Sequence, residues 1–248
     1  GMLRRNLHAD LLKMKGLPIM LMHILIPVIA SGLFVAYYSF SGWSEETKIV
    51  AFYQAIGAGL PVLIGIFTAS IMEQEQNAGA CQNLLTLRRK AAAFLSKVML
   101  LLLFSLFALL LTAGIFGFGF NKILGCSIVS VGIYMVAALI MWCGSVPLYI
   151  WQMLLAFQFG KGVSVGAGIV SGLISALMLT NMGMFIWEYI PASWTARMPY
   201  TYLRIAFGQW EAINEMKSVI PVFCIFTAMS MVYYLYWAFH WEGSRILE

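Results

Sequence analysis

The sequence predicts an all-α integral membrane protein with six transmembrane helices, preceded by an amphipathic interfacial helix, and with both termini cytoplasmic. Three observations carry that reading. Apolar residues make up 62% of the 248 positions and charged residues only 10%, against roughly a quarter charged in soluble domains. Six apolar stretches each reach the ~20 residues that a helix needs to cross hydrocarbon. Basic residues collect in alternate connections, as the bias toward positive cytoplasmic loops requires.

Taken in order, residues 3–15 place Leu3, Leu7, Leu11 and Met14 on one face and Arg4, Arg5, His8 and Lys15 on another, the pattern of a helix lying in the membrane surface. Asp10 interrupts the edge of the apolar face. The start Gly1-Met2 reads as the residue of a processed tag, and the first apolar segment lacks the cleavage pattern of a secretory signal. The first crossing is expected at 17–40, with Pro27 inside it and Tyr37 and Tyr38 as anchors near its outer end. The second, 49–72, carries Gly57, Pro61 and Gly65 at spacings of four, a face that lets another helix approach closely.

Residues 73–97 follow as a polar and basic cytoplasmic loop, in which Ala80, Leu84 and Leu87 recur at helical spacing. The third crossing is 98–118 and the fourth is 128–157, where Gln152 is expected to make a helix–helix hydrogen bond. The fifth, 163–187, contains the small-residue pairs Gly162 with Gly166 and Gly168 with Gly172, which predict a protein interface within or between subunits. Residues 188–218 form the longest outer connection, with Trp194, Tyr200, Tyr202 and Trp210 interleaved with Arg197, Arg204, Glu188, Glu211 and Glu215, a mixture suited to the headgroup level. The sixth crossing is 219–240. With the N-terminus inside, ten of the fifteen Lys and Arg fall on the cytoplasmic side. The whole of 1–248 reads as a single transmembrane domain.

Composition also excludes functions. The net charge of +5 resides in flanks and loops beside the membrane, so it implies lipid contact and no nucleic acid. Cys81, Cys126, Cys143 and Cys224 have no paired spacing. No phosphate-binding glycine loop and no zinc-binding His-Glu-x-x-His run occurs, and His8, His23 and His240 have no nucleophile or carboxylate at catalytic spacing. No catalytic or metal-binding residue is therefore expected. No Asp or Glu sits at an expected bilayer midplane, where ion-coupled carriers place theirs, so energy for transport would have to come from another subunit.

Glu73, Glu75, Gly79, Leu84, Leu85, the Arg88-Arg89 pair and Lys97, set between the second and third crossings, resemble the acidic, glycine, leucine and basic run of the membrane subunits of type-2 ATP-binding-cassette exporters. In size and layout the chain is most similar to the permeases of bacterial lantibiotic-immunity transporters. This resemblance implies a coupling helix in 73–97 that seats in a nucleotide-binding ATPase subunit, with Glu75, Gly79, Leu84, Leu85 and Arg88 transmitting force. It implies a second permease subunit, the same or different, and ATP and Mg bound in the ATPase partner, with no cofactor in this chain. The expected cargo is an antimicrobial peptide expelled from the bacterial cell membrane, met at the outer aromatic connection by Glu188, Trp194, Tyr200, Trp210 and Glu211. Two other readings stay open: a permease for another hydrophobic antibiotic or lipid-linked substrate, and a membrane scaffold that recruits a partner without transport.

Overall fold

The second helix shows how local chemistry sets the architecture. Ser44 caps its start by accepting from the Thr47 N–H, and Glu45 and Glu46 occupy the first turn, where carboxylates complement the helix dipole. From there the chain is helical without interruption over Glu45–Asn77, about 50 Å at 1.5 Å per residue. This computed structural model describes residues 7, 10, 11, 18–79, 81–86, 90–126 and 128–243. The helices are α1 (Pro18–Phe40), α2 (Glu45–Asn77), α3 (Gln82–Leu85), α4 (Lys90–Phe118), α5 (Val131–Phe159), α6 (Lys161–Met178), α7 (Trp194–Ala206) and α8 (Ala212–His240). A five-residue π turn, Gly119–Ile123, continues α4.

Six of these, α1, α2, α4, α5, α6 and α8, are long and apolar enough to span a membrane. They define two ends of a bundle. The proximal end holds the 78–89 connection, and the distal end holds the connections at 41–44 and 124–130. Of the expected interfacial helix only Leu7, Asp10 and Leu11 are described; they are helical, with Leu7 packed on the core and Asp10 buried. The rest of 3–15 lies outside the described residues.

Besides earlier starts of α2, at Glu45 instead of 49, and of α8, at Ala212 instead of 219, three differences from the sequence expectation bear on the site. Glu73–Asn77 belongs to α2 and Lys90–Lys97 to α4, so the connection between them shrinks to 78–89. Of its charged flanks, Glu75 and Lys97 pair inside the protein and Glu73 pairs with Lys161 at the surface. At the distal side α6 stops at Met178 instead of running to 187. Thr180 accepts from the Met182 N–H and starts a 3₁₀ turn. Gly183 follows, where a Cβ would lie 2.1 Å from the Met178 carbonyl oxygen. The third difference is the outer connection. It does not stay at the surface: its helix α7 is buried along Trp194–Pro199 and packs between α2, α5 and α8.

The most intimate pairing is α2 with α6. A Cβ on Gly65 would fall 2.7 Å from the Ser164 carbonyl oxygen, and one on Gly168 2.8 Å from that of Pro61. Gly172 faces Val62 and the Ala58 carbonyl. Hydroxyls fill the polar demand of this close contact. The Thr68 and Ser164 hydroxyls bond at 2.8 Å, and Ser164 also donates to the Gly65 carbonyl at 3.1 Å. Gln152 of α5 makes its expected bond, donating Nε2 to the Pro61 carbonyl at 3.2 Å. Gly162 and Gly166 behave differently, since a Cβ on either would meet nothing within 4 Å. Their face is open in this subunit.

The distal half of the core is aromatic. Tyr38 turns inward, and Phe52 stacks on Phe116 at 3.7 Å and 6°. Lys48 is buried beside them and donates to the Tyr38 carbonyl at 3.1 Å, a cation at a helix C-terminus.

Placing a side chain at Gly65 and at Gly166 should separate the closed seam from the open face. Gly65→Val is expected to cost about 1–3 kcal/mol by overpacking and to lower the thermal midpoint of the detergent-solubilised protein. Gly166→Val should leave the midpoint of the isolated subunit within about a degree.

Candidate functional site

Two places collect the residues that the sequence singled out. The first is the proximal connection and its footing. At the end of α2 the chain reverses sharply: the Ala78 N–H bonds to the Gln74 carbonyl, Gly79 takes φ +129°, and Cys81 stands at φ +62° with its N–H on the Glu75 carbonyl at 3.2 Å. Glycine tolerates such φ at no steric cost, whereas a residue with a Cβ adopts it rarely. The buried Cys81 side chain is what holds that geometry. The four-residue helix α3 then packs Leu84 inward at 3% exposure while Gln82 and Thr86 face outward. Leu85 is described in its backbone alone, and Arg88 lies outside the described residues.

Glu75 does not project from this connection toward a partner. It is 3% exposed, and its Oε1 receives Lys97 Nζ at 2.6 Å. The same ammonium reaches Asp10 Oδ1 at 3.1 Å, and the Ser96 hydroxyl donates to Asp10 Oδ2 at 2.5 Å. One buried cation thus ties the surface segment, the end of α2 and the start of α4. Charges this buried are held only by their partners, and removing one strands the others. A solvated pair, Lys161 with Glu73 at 2.7 Å, adds a weaker strap to the α5–α6 turn. Lys90 donates to the Trp241 carbonyl at 2.8 Å and so fastens α4 to the end of α8. Burial pushes the Cys81 thiol up, the Glu75 carboxylate adds to this, and Lys97 opposes it.

The second place is the re-entrant segment 179–206. Pro61 has no N–H, so the Gly57 carbonyl one turn earlier loses its helical donor. The Thr195 hydroxyl supplies the replacement at 2.8 Å. It can arrive because Gly57 and Gly144 have no side chains: a Cβ on Gly57 would lie 2.4 Å from the Thr195 carbonyl oxygen, and one on Gly144 2.9 Å from that of Trp194. Gly57 is twelve residues along α2, about 18 Å from its distal start. The end of α6 is met in the same way. Buried Arg197 donates Nε to the Met178 carbonyl at 2.6 Å and Nη2 to that of Thr180 at 3.1 Å, with its guanidinium 5.9 Å and 5.8 Å from the Trp187 and Tyr200 ring centres.

These positions redistribute the residues expected to meet cargo. Trp194 is fully buried, and its indole N–H donates to the Glu188 carbonyl at 3.1 Å. Tyr200 is half-buried between Arg197 and Arg204. Glu188 is half-buried, and burial followed by the nearby Glu215 carboxylate raises its pKa. Trp210, at 69% exposure, and Glu211 stand free at the distal surface. Sequence reasoning missed Gly144 and Thr195 and placed Arg197 at the headgroup level; the signal for Thr195 was Pro61 itself, which announces an unpaired carbonyl. No group of three His, Cys, Asp or Glu comes together as a metal site among the described residues.

Two measurements test these footings. Lys97→Met should destabilise by about 3–5 kcal/mol because it removes the cation that the two buried carboxylates share, and adding Asp10→Asn and Glu75→Gln should restore most of the loss. Maleimide should react with Cys81 faster in the single variant. Loss of Lys97 alone raises the thiol pKa and lowers the thiolate fraction, so faster reaction reports opening of the connection. At the other footing, Thr195→Val should cost about 1 kcal/mol and Arg197→Gln more, read as thermal midpoints.

Comparison with known proteins adds the family. No curated protein and no solved structure matches the chain. The profile of the ABC-2 family transporter proteins matches residues 7–180, which takes in the proximal connection, its ion network and all but one of the long apolar helices. Permeases of that family generally pair with nucleotide-binding ATPase subunits in a lipid bilayer. Six apolar helices, a braced connection at one end and a match over well over half its length establish that this chain belongs to the ABC-2 family of integral-membrane transporter proteins.

Proposed function

We propose that the chain is the permease subunit of an ATP-driven exporter that removes an antimicrobial peptide of the lantibiotic type from the bacterial plasma membrane, with its termini on the cytoplasmic, proximal side. The observation that carries this reading is the proximal connection. Its short helix follows α2 just after the turn at Gly79 and Cys81, and the buried Lys97 pairs brace α2 against α4 beneath it. A nucleotide-binding subunit seated on Gln82 and Thr86 would push on a footing that transmits displacement to both helices. ATP and Mg belong to that partner. Glu75 and Leu84 then act as the brace, Gly79 as the turn that aims the helix, and Leu85 and Arg88 as further candidates for the partner contact.

A second permease, the same or different, would seat on the open face of Gly162 and Gly166. Cargo contact falls to Trp210 and Glu211, which remain free at the distal surface, and to Glu188 and Tyr200 once the re-entrant segment moves. Trp194 serves to hold that segment.

The test is ATP turnover by the chain co-purified with the ATPase encoded beside it, with and without candidate lantibiotics. Gln82→Arg with Thr86→Arg changes only exposed positions of the connection. It should reduce peptide-stimulated turnover at least tenfold while the thermal midpoint of the permease stays unchanged. If no ATPase co-purifies, or turnover ignores both the peptides and the double variant, the exporter reading falls. Stimulation by a small hydrophobic antibiotic instead of a peptide would keep the permease and replace the cargo.

A further inference from the structure

Between α1, α2 and α4 the bundle encloses a cavity of about 430 Å³ that opens toward the lipid side, because α1 leans on α4 and scarcely touches α2. Its wall is apolar except at four residues, one of which, Thr112, spends its hydroxyl on the Ala108 carbonyl of its own helix. His23, Ser105 and Tyr149 are 4%, 3% and 0% exposed; among the described residues His23 Nε2 has no hydrogen-bond partner, and the Ser105 and Tyr149 hydroxyls have none beyond one another. The Ser105 and Tyr149 hydroxyls lie close enough to influence one another. Even as a mutual pair they would keep one O–H donor free.

The histidine supplies the opposite polarity. Its Nδ1 lies 2.8 Å from the Ile19 carbonyl, and its ring stacks on Phe67 at 4.2 Å. A carbonyl only accepts, so Nδ1 carries the proton and Nε2 of the neutral ring is an acceptor. Pro27, also on the wall, lacks the N–H that the His23 carbonyl would otherwise receive. Buried polar atoms in native proteins are almost always satisfied, and in hydrocarbon there is no water to do it. An alkyl tail alone leaves His23 Nε2 and one hydroxyl proton of the Ser105–Tyr149 pair unsatisfied.

Depth narrows the occupant. Ser105 lies eight residues beyond the buried Lys97 of α4 and Tyr149 ten from the proximal end of α5, about 12 Å and 15 Å along their axes, while His23 is five residues, about 8 Å, from the start of α1. The two hydroxyls therefore sit well below the level of lipid headgroups. The volume lies within the ~300–1,000 Å³ of small-molecule sites and is too small for a peptide of lantibiotic size.

We propose that this cavity is a binding site for a compact apolar molecule carrying one hydroxyl, which donates to His23 Nε2 and accepts from the Ser105 or Tyr149 hydroxyl. The site is internal to one subunit and needs neither ATP nor peptide, so it stands or falls separately from the exporter reading.

The experiment uses the full chain in lipid nanodiscs and two photoreactive probes, a diazirine-bearing octanol and the matched octane without the hydroxyl. Labelled positions are read by peptide mass spectrometry. The alcohol should label α1, α2 and α4 cavity peptides at least fivefold more than the alkane, and unlabelled octanol should compete. Gly59 lines the cavity, and a Cβ there would meet nothing within 4 Å, so Gly59→Leu fills the space without disturbing helix packing. It should cut alcohol labelling at least fivefold. Ser105→Ala with Tyr149→Phe should bring the alcohol down toward the alkane while leaving the alkane unchanged. Equal labelling by both probes in the wild-type chain would mean a crevice for lipid tails only and would overturn the proposal, as would an alcohol preference that survives Gly59→Leu.

Discussion

A backbone carbonyl inside a bilayer has no water to turn to, and the distal half of this protein is arranged around two carbonyls that would otherwise be left without a donor. Pro61 frees the first, at Gly57. The early end of α6 exposes the second, at Met178. Thr195 and Arg197 answer both from the first turn of one short helix, and Arg197 also reaches the Thr180 carbonyl. That helix can enter only because Gly57 and Gly144 leave room for its backbone. The proline, the two glycines, the short α6 and the re-entrant α7 are therefore one solution to one constraint, and changing any of them returns an unpaired polar group to the core.

The proximal end obeys a different rule. Here charges are allowed below the surface because they come as a set: Lys97 between Asp10 and Glu75, with Ser96 completing the Asp10 carboxylate. Such a set contributes little net stability compared with an apolar core. What it supplies is registration, because an ammonium shared between two carboxylates fixes three chain segments relative to one another. Asp10, which spoils the amphipathic pattern of the N-terminal segment, is itself held in the bundle by Lys97 and Ser96.

How far the sequence could be read follows from the same physics. Hydropathy located the long helices, because lipid contact is written in composition, and the spacing of Gly57, Pro61 and Gly65 marked a close-packed face. It could not say that Gly57 receives α7 while Gly65 receives α6, since both partners demand the same absence of a side chain. Gly162 with Gly166 repeats the motif of Gly168 with Gly172 and has no neighbour in this subunit. Charge was the weaker guide. Glu75 and Lys97 looked like loop residues because nothing local shows that they pair across twenty-two positions. Arg197, set among Trp194 and Tyr200, carried the signature of a headgroup surface, yet the same aromatic and guanidinium chemistry here caps a helix in the interior. Leu84 was legible as apolar but not as part of the brace.

The shortness of α6 has a consequence for permeability. Its eighteen residues cover about 27 Å, a little less than the ~30 Å hydrocarbon, and the remaining barrier is made of the 3₁₀ turns and α7. Those elements are held by side-chain bonds and close contact and not by the continuous backbone ladder of a spanning helix. The insulation at this point is a plug seated in the bundle. The seal at this point therefore rests on contacts at Gly57, Met178 and Thr180, separate from the hydrogen-bond ladders of the membrane-crossing helices.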